Sequence, residues 1–179
     1  MIKFLCEVYF RMAGWKLVGE MPPNIDKCVM VAAPHTSNWD YPLTMGAFSL
    51  MKVPLHFLGK KELFFFPLGV IMRSTGGIAV DRSKRNNLVE YMTSLFGEYD
   101  RLALVIPPEG TRSKVAEWKT GFYRVAVAAK VPIALGYLDY DKKHAGVLGM
   151  FYPTGDLEKD LPAIKAYYKD VAPKHKDKW

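Results

Sequence analysis

A histidine and an aspartate with four residues between them are the first side chains whose types and spacing suit chemistry. His35 follows an apolar run at residues 29–33, and Asp40 ends the segment HTSNWD. A carboxylate beside an imidazole fixes the tautomer of the ring and stabilises the imidazolium that forms on proton transfer. The pair therefore predicts a general base. The alternative is an aspartate that caps a helix, next to an incidental surface histidine.

A second polar group follows the apolar run at residues 102–106, in the segment PPEGTRS. It consists of Glu109, Gly110, Thr111 and Arg112. Glycine lets a backbone approach a ligand closely, and the guanidinium fork matches two phosphate oxygens. The glycine–lysine spacing of a P-loop is absent. The group predicts a site for an anion that is not a P-loop nucleotide site.

Arg82 is the third candidate, because it directly follows the short apolar run GGIAV and Asp81. It opens a basic cluster with Lys84 and Arg85. An arginine at a strand end can hold a phosphate, and the alternative is an ordinary solvated surface cation.

The elements that must position these residues alternate along the chain. Apolar runs predict strands at residues 15–19, 29–33, 53–58, 76–82, 102–106, 131–137 and 145–152. Helical spacing predicts helices at residues 2–13, 42–50, 86–99, 119–130 and 156–171, and oxygens of Thr36, Ser37 and Asn38 suit the cap of the second. Such alternation is typical of an α/β fold with a largely parallel central sheet covered by helices on both faces. We expect the three polar groups to converge at one edge of this sheet.

The length of 179 residues predicts a single domain, residues 1–179. Within it we expect an amphipathic N-terminal helix at 1–14, a motif-bearing core at 15–138, and a strand, helix and basic tail at 139–179. The two cysteines, Cys6 and Cys28, lie in apolar surroundings and predict buried hydrophobic side chains.

The net charge of +7 favours an anionic partner such as a membrane surface or an acidic carrier protein. No base-stacking motif accompanies the charge, so a nucleic-acid partner is not expected. The N-terminal helix either packs on the domain or lies among lipid headgroups. The three phenylalanines at residues 64–66 either belong to a buried segment or form an apolar wall at a membrane.

Taken together and in this order, the motifs resemble those of the glycerolipid acyltransferase family typified by 1-acylglycerol-3-phosphate acyltransferases. The segments are HTSNWD, GGIAVDR, PPEGTRS and KTGFYRVA, and the resemblance spans roughly residues 15–138. The later segment VPIALGYLDY departs from the family pattern, because it lacks the second proline usual there.

The resemblance implies transfer of a fatty acyl group from acyl-CoA or acyl-carrier protein to the hydroxyl of a lysophospholipid. His35 and Asp40 would form the general-base pair, and Arg82 and Arg112 would hold the phosphate of the acceptor. Glu109 and Gly110 would shape that pocket, and Thr111 would add a hydrogen bond.

We expect no metal and no cofactor beyond the acyl donor, and a cytoplasmic location on the inner face of a membrane. Two alternatives stay open. The acceptor is a different lysolipid or an amino-acid lipid, or the chain is a non-catalytic module that binds lipid or phosphate at a membrane.

Overall fold

The computed structural model describes residues 2–81 and 88–179. Seven strands form one sheet: β1 Lys16–Leu17, β2 Lys27–Ala32, β3 Leu55–Lys60, β4 Gly77–Val80, β5 Leu102–Ile106, β6 Ile133–Asp139 and β7 His144–Phe151. The six α-helices of the described ranges are α1 Ile2–Met12, α2 Asp40–Leu50, α3 Leu68–Ser74, α4 Leu88–Glu98, α5 Gly121–Ala129 and α6 Leu157–Ala166.

The strand order is β1-β7-β6-β2-β5-β3-β4. Every neighbouring pair is parallel except β6 and β7, which form an antiparallel hairpin. The predicted α/β class with a largely parallel sheet is confirmed. Strand β2 lies between β6 and β5, and its residues Cys28, Val29, Met30 and Val31 are almost fully buried. That burial fits a continuous apolar run, because both faces of a parallel sheet are covered.

Two hydrophobic clusters cover the two faces of the sheet. One contains side chains of α4, α5 and α6 together with Tyr168, and the other contains side chains of α1 and α2 together with Trp15. Alternate residues of β2 belong to opposite clusters, with Val29 in the first and Met30 in the second. The prediction of helices on both faces is therefore also confirmed.

The N-terminal helix α1 packs directly on α2. A Cβ on Gly46 of α2 would lie 2.5 Å from the carbonyl oxygen of Cys6, so only glycine permits this approach. Cys6 and Phe10 of α1 are buried, whereas Phe4 and Met12 are exposed. Cys28 is buried as well, which confirms the prediction for both cysteines.

The last helix is shorter than predicted. Helix α6 begins after Asp156, whose carboxylate accepts a hydrogen bond from the Lys159 N–H, but it ends at Ala166 rather than near residue 171. The chain turns there because Tyr168 enters the core, where its hydroxyl donates to the carbonyl of Gly136 across 3.2 Å. None of the helices in the described ranges is long and apolar enough to cross a bilayer.

Candidate active site

The pairing of β2 with β5 brings two of the predicted groups together. Val31 pairs with Ile106, so the chain leaves the two strands side by side at their carboxyl ends. His35 follows the first strand and Glu109 follows the second. The backbone N–H of His35 donates to Oε1 of Glu109 across 3.0 Å. The expected convergence of the His35–Asp40 group and the Glu109 group at one sheet edge is confirmed.

His35 and Asp40 form a hydrogen-bonded pair, with Nδ1 of the imidazole 3.0 Å from Oδ2 of the carboxylate. The same oxygen accepts the backbone N–H groups of Thr36 and Ser37, each at 3.0 Å. The other oxygen, Oδ1, accepts the hydroxyl of Tyr140 at 2.6 Å. Both oxygens of this buried carboxylate are therefore held in place.

The environment keeps Asp40 ionised. Burial alone would raise the pKa of this carboxyl, but hydrogen bonds from His35, Tyr140 and Ser37 outweigh burial and lower the pKa below its ordinary value. Because an ionised carboxylate can only accept, Nδ1 of a neutral His35 must carry the proton. The lone pair then lies on Nε2, and the His35 side chain is 24% exposed. This arrangement can take a proton from a bound alcohol.

The expected cap of α2 by the oxygens of Thr36, Ser37 or Asn38 is wrong. The residue before the helix is Trp39, and it makes no side-chain cap hydrogen bond. The hydroxyl of Ser37 accepts the Trp39 N–H within the loop, while the amides of Thr36 and Ser37 point to the Asp40 carboxylate. The loop is thus built around Asp40, because an ionised acceptor binds amides more strongly than a hydroxyl does.

Glu109 is buried, with 3% of its surface exposed. Burial raises the pKa of this carboxyl to about 7, although the hydrogen bond from His35 acts in the opposite direction. Its second oxygen, Oε2, has no hydrogen-bond partner among the residues that the structure describes. Glu109 therefore braces the backbone of His35 and presents one unpaired acceptor.

The residues of the segment PPEGTRS that follow Glu109 face solvent. Gly110 has a φ of +64°, and a Cβ at this position would lie 2.8 Å from Nζ of Lys119. Thr111 and Arg112 are exposed, and Oγ1 of Thr111 accepts the Ser113 N–H at 3.3 Å. Arg82, the candidate from the segment GGIAVDR, lies outside the described residues.

Sequence reasoning missed two residues that contact this site. Tyr140 reaches Asp40 from the end of β6, the other neighbour of β2. Lys174 lies with Nζ 5.2 Å from the ring centroid of Trp39 and 5.8 Å from that of Tyr140. The available signal for Tyr140 was a polar residue shortly after the end of a predicted strand, residues 131–137. Lys174 has no such signal, because it lies in the C-terminal tail.

A cavity of about 220 Å³ adjoins Glu109 on the face covered by α6. Aromatic rings and lysines dominate its lining, which consists of Glu109, Val115, Ala116, Trp118, Lys165, Tyr168, Lys169, Lys178 and Trp179. Nζ of Lys165 lies 5.8 Å from the ring centroid of Trp118. The cavity thus combines apolar walls with positive charge.

The sequence model of the Acyltransferase family matches residues 18–134, which include the pair His35–Asp40 and the group around Glu109. The chain belongs to the Acyltransferase family. A search of the curated proteins found no match.

Among solved structures, this acyltransferase is similar to PlsC of Thermotoga maritima, a 1-acyl-sn-glycerophosphate (LPA) acyltransferase. The TM-score is 0.67 at 22% sequence identity, and the match covers 95% of this chain and 75% of the PlsC chain. At this identity the likeness shows that the two proteins share a fold.

Proposed function

We propose that this acyltransferase moves a fatty acyl group from an acyl thioester to the hydroxyl of a lysophospholipid such as 1-acylglycerol-3-phosphate. The observation that carries the proposal is the hydrogen bond from Nδ1 of His35 to the ionised carboxylate of Asp40. A module that only binds lipid needs no such base. The family of the chain and the fold that it shares with PlsC support the same reaction.

In the proposed reaction, Nε2 of His35 accepts the proton of the acceptor hydroxyl while the oxygen attacks the thioester carbonyl. Asp40 stabilises the imidazolium that results. The tetrahedral intermediate then expels the thiolate, which takes the proton from His35, and the products are an ester and a free thiol. No acyl-enzyme forms, since the acceptor itself is the nucleophile. A base in this position contributes about 10²–10⁴-fold to the rate.

The acceptor's phosphate would be held by Arg112 together with Arg82. Arg112 is exposed, and no carboxylate in the described ranges lies within ion-pair distance of it. Its guanidinium is therefore available to a ligand, and its fork suits two phosphate oxygens. Gly110 and Thr111 shape the turn that presents it.

The proposed donor is acyl-CoA or acyl-carrier protein, both of which carry the phosphate of a phosphopantetheine arm. The cavity next to Glu109 supports a donor on this side of the site, because Lys165, Lys169 and Lys178 line it. Its aromatic walls, Trp118 and Tyr168, suit an apolar segment of the donor.

We also propose that the protein works at the cytoplasmic face of a membrane. Phe65 and Phe66 are 60% and 85% exposed, and Phe4 and Met12 of α1 are exposed as well. Exposed aromatic side chains on a basic protein suit an anionic bilayer.

The test is thiol release from acyl-CoA with lysophosphatidate as acceptor, for the wild type and the variants His35→Ala and His144→Ala. His144 begins β7 and serves as the matched control. We expect acceptor-dependent release in the wild type and H144A, and a rate at least about 10²-fold lower in H35A. If the wild type releases no thiol from acyl-CoA or acyl-carrier donors with any of a panel of lysolipids and amino-acid lipids, the proposal is overturned and a binding module is favoured.

A further inference from the structure

Tyr140 is the one side chain outside the motifs that touches the carboxylate of Asp40 in the described part of the chain. It directly follows β6, and its hydroxyl donates to Oδ1 of Asp40 at 2.6 Å. The two residues lie 100 positions apart in the sequence. Nothing in the reaction proposed above uses this contact.

The ring of Tyr140 is held on several sides. Trp15 meets it edge to face, with ring centroids 4.9 Å apart and an interplanar angle of 88°. The backbone N–H of Tyr140 donates to the carbonyl of Ala172 at 2.9 Å, and Nζ of Lys174 lies 5.8 Å from the ring centroid. The hydroxyl therefore donates to Asp40 from a ring that packing already holds in place. The hydrogen bond does not carry the entropy cost of ordering a mobile side chain.

The geometry of Asp40 shows what this hydrogen bond does. Oδ2 accepts His35 and two backbone amides, whereas Oδ1 has Tyr140 as its partner. A carboxylate fixed at both oxygens cannot rotate about its Cβ–Cγ bond, so Oδ2 stays in line with Nδ1 of His35. Loss of the Oδ1 partner would leave that alignment to the Oδ2 contacts alone.

We propose that Tyr140 is a positioning residue, which fixes the plane of the Asp40 carboxylate and through it the orientation and tautomer of the His35 base. This inference rests on the proposed function of the His35–Asp40 pair. Tyr140 touches neither the acceptor nor the thioester in this scheme. It acts by keeping the base in its reactive geometry throughout the reaction.

The hydroxyl of Tyr140 keeps its proton at neutral pH. Burial, followed by the hydrogen bond to Asp40 and the negative charge there, raises the pKa of Tyr140 far above its ordinary value. The titratable and charged groups near it are Asp40, Tyr9 and Lys174, with His35 and Glu109 beyond Asp40. Tyr140 is thus a donor over the whole range in which the enzyme would work.

The decisive variant is Tyr140→Phe, which removes the hydroxyl and keeps the ring against Trp15. Tyr137→Phe is the matched control, because Tyr137 lies three residues earlier, in β6, and its hydroxyl donates to a backbone carbonyl, that of Val18, at 3.1 Å. We expect Y140F to lower kcat by on the order of tenfold, with KM for both substrates within about twofold of the wild type. Y137F should leave kcat unchanged.

A second measurement does not depend on turnover. Carboxyl ¹³C NMR should show the pKa of Asp40 moving upward in Y140F and not in Y137F, since the hydrogen bond from Tyr140 lowers it. The downfield proton resonance of the His35 Nδ1–H should broaden in Y140F alone.

If the wild type transfers no acyl group, the proposed function fails, and the two NMR signals still test the coupling of Tyr140 to the pair. Unchanged signals in Y140F would overturn the inference. So would an active Y140F enzyme with wild-type kcat, whether or not its melting temperature falls below that of Y137F.

Discussion

The backbone N–H of His35 donates to the side chain of Glu109 across 3.0 Å, so the turns that follow two neighbouring strands are tied together at the site. This contact uses one oxygen of a buried carboxyl and leaves Oε2 without a partner among the described residues. Desolvation of that oxygen is why the pKa of Glu109 lies near 7. The residue that braces the loop of His35 and Asp40 therefore changes charge near neutral pH.

Replacement of Glu109 by Gln should remove a pH dependence of stability. The pKa of Glu109 is about 7 in the folded chain against an ordinary 4.5, so the unfolded chain loses this proton at lower pH. The contribution of Glu109 to the free energy of unfolding should therefore be highest below pH 4.5. It should fall by about 3 kcal/mol as the pH rises through 7. Urea unfolding between pH 4 and 8 measures the difference.

The control for this prediction is Glu117→Gln, since Glu117 is an exposed glutamate in the same loop region. E117Q should follow the wild-type curve, whereas E109Q should lack the decline between pH 4.5 and 7. Parallel curves for E109Q and the wild type would show that Glu109 is ionised well below neutrality.

The sequence predicts the parts of the site that are local, and the structure supplies those that depend on strand order. His35 and Asp40 pair as expected, because the short segment between them keeps the two side chains close together. The contacts of Glu109 with His35 and of Tyr140 with Asp40 require that β5 and β6 both flank β2. Apolar runs identify strands and do not reveal their order.

The ends of strands and helices are likewise predictable only where local sequence determines them. The strand at Leu102–Ile106 is predicted residue for residue, because an uninterrupted apolar run has clear borders. Helix α6 stops at Ala166 because Tyr168 is needed in the core, which its helical spacing does not reveal. The expected side-chain cap of α2 is wrong because the amides of the loop bind the carboxylate of Asp40, the first residue of the helix.

Replacement of Arg112 by Ala should weaken acceptor binding through its phosphate. We expect KM for lysophosphatidate to rise about tenfold or more, since a charge-assisted hydrogen bond to phosphate is lost, with a smaller change in kcat. Steady-state kinetics with lysophosphatidate and with monoacylglycerol, which lacks the phosphate, make the comparison. The variant and the wild type should be equal on monoacylglycerol.

Arg101→Ala is the control for Arg112, because Arg101 pairs with Asp26 at the opposite end of the strands, before β5 begins. R101A should show wild-type KM values. An equal loss in R112A on both acceptors would assign Arg112 a role other than phosphate binding.

The lysines of the cavity should matter for the donor. Combined replacement of Lys165, Lys169 and Lys178 by Ala should raise KM for acyl-CoA several-fold and leave KM for the acceptor unchanged, because the phosphates of CoA lose their cationic partners. Added salt should raise the wild-type KM toward that of the variant.

Lys159→Ala serves as a single-charge control on α6, the helix that carries Lys165, since Lys159 does not line the cavity. It should leave KM for acyl-CoA unchanged. A triple variant with wild-type KM for acyl-CoA and for acyl-carrier protein would place the donor elsewhere on the molecule.

Replacement of Phe65 and Phe66 by Ser should weaken membrane binding without loss of stability. The two side chains are 60% and 85% exposed, so they contribute little to the folded core, whereas their transfer into lipid is favourable. Flotation with vesicles that contain anionic lipid should recover the wild type in the lipid fraction and a much smaller share of the double variant. Tyr152→Ser, which changes a 65%-exposed aromatic side chain just after β7, should float like the wild type. Neither the double variant nor Y152S changes the net charge, so binding by charge alone would be the same in both. Equal flotation of the double variant and the wild type would therefore contradict insertion of the Phe65 and Phe66 rings.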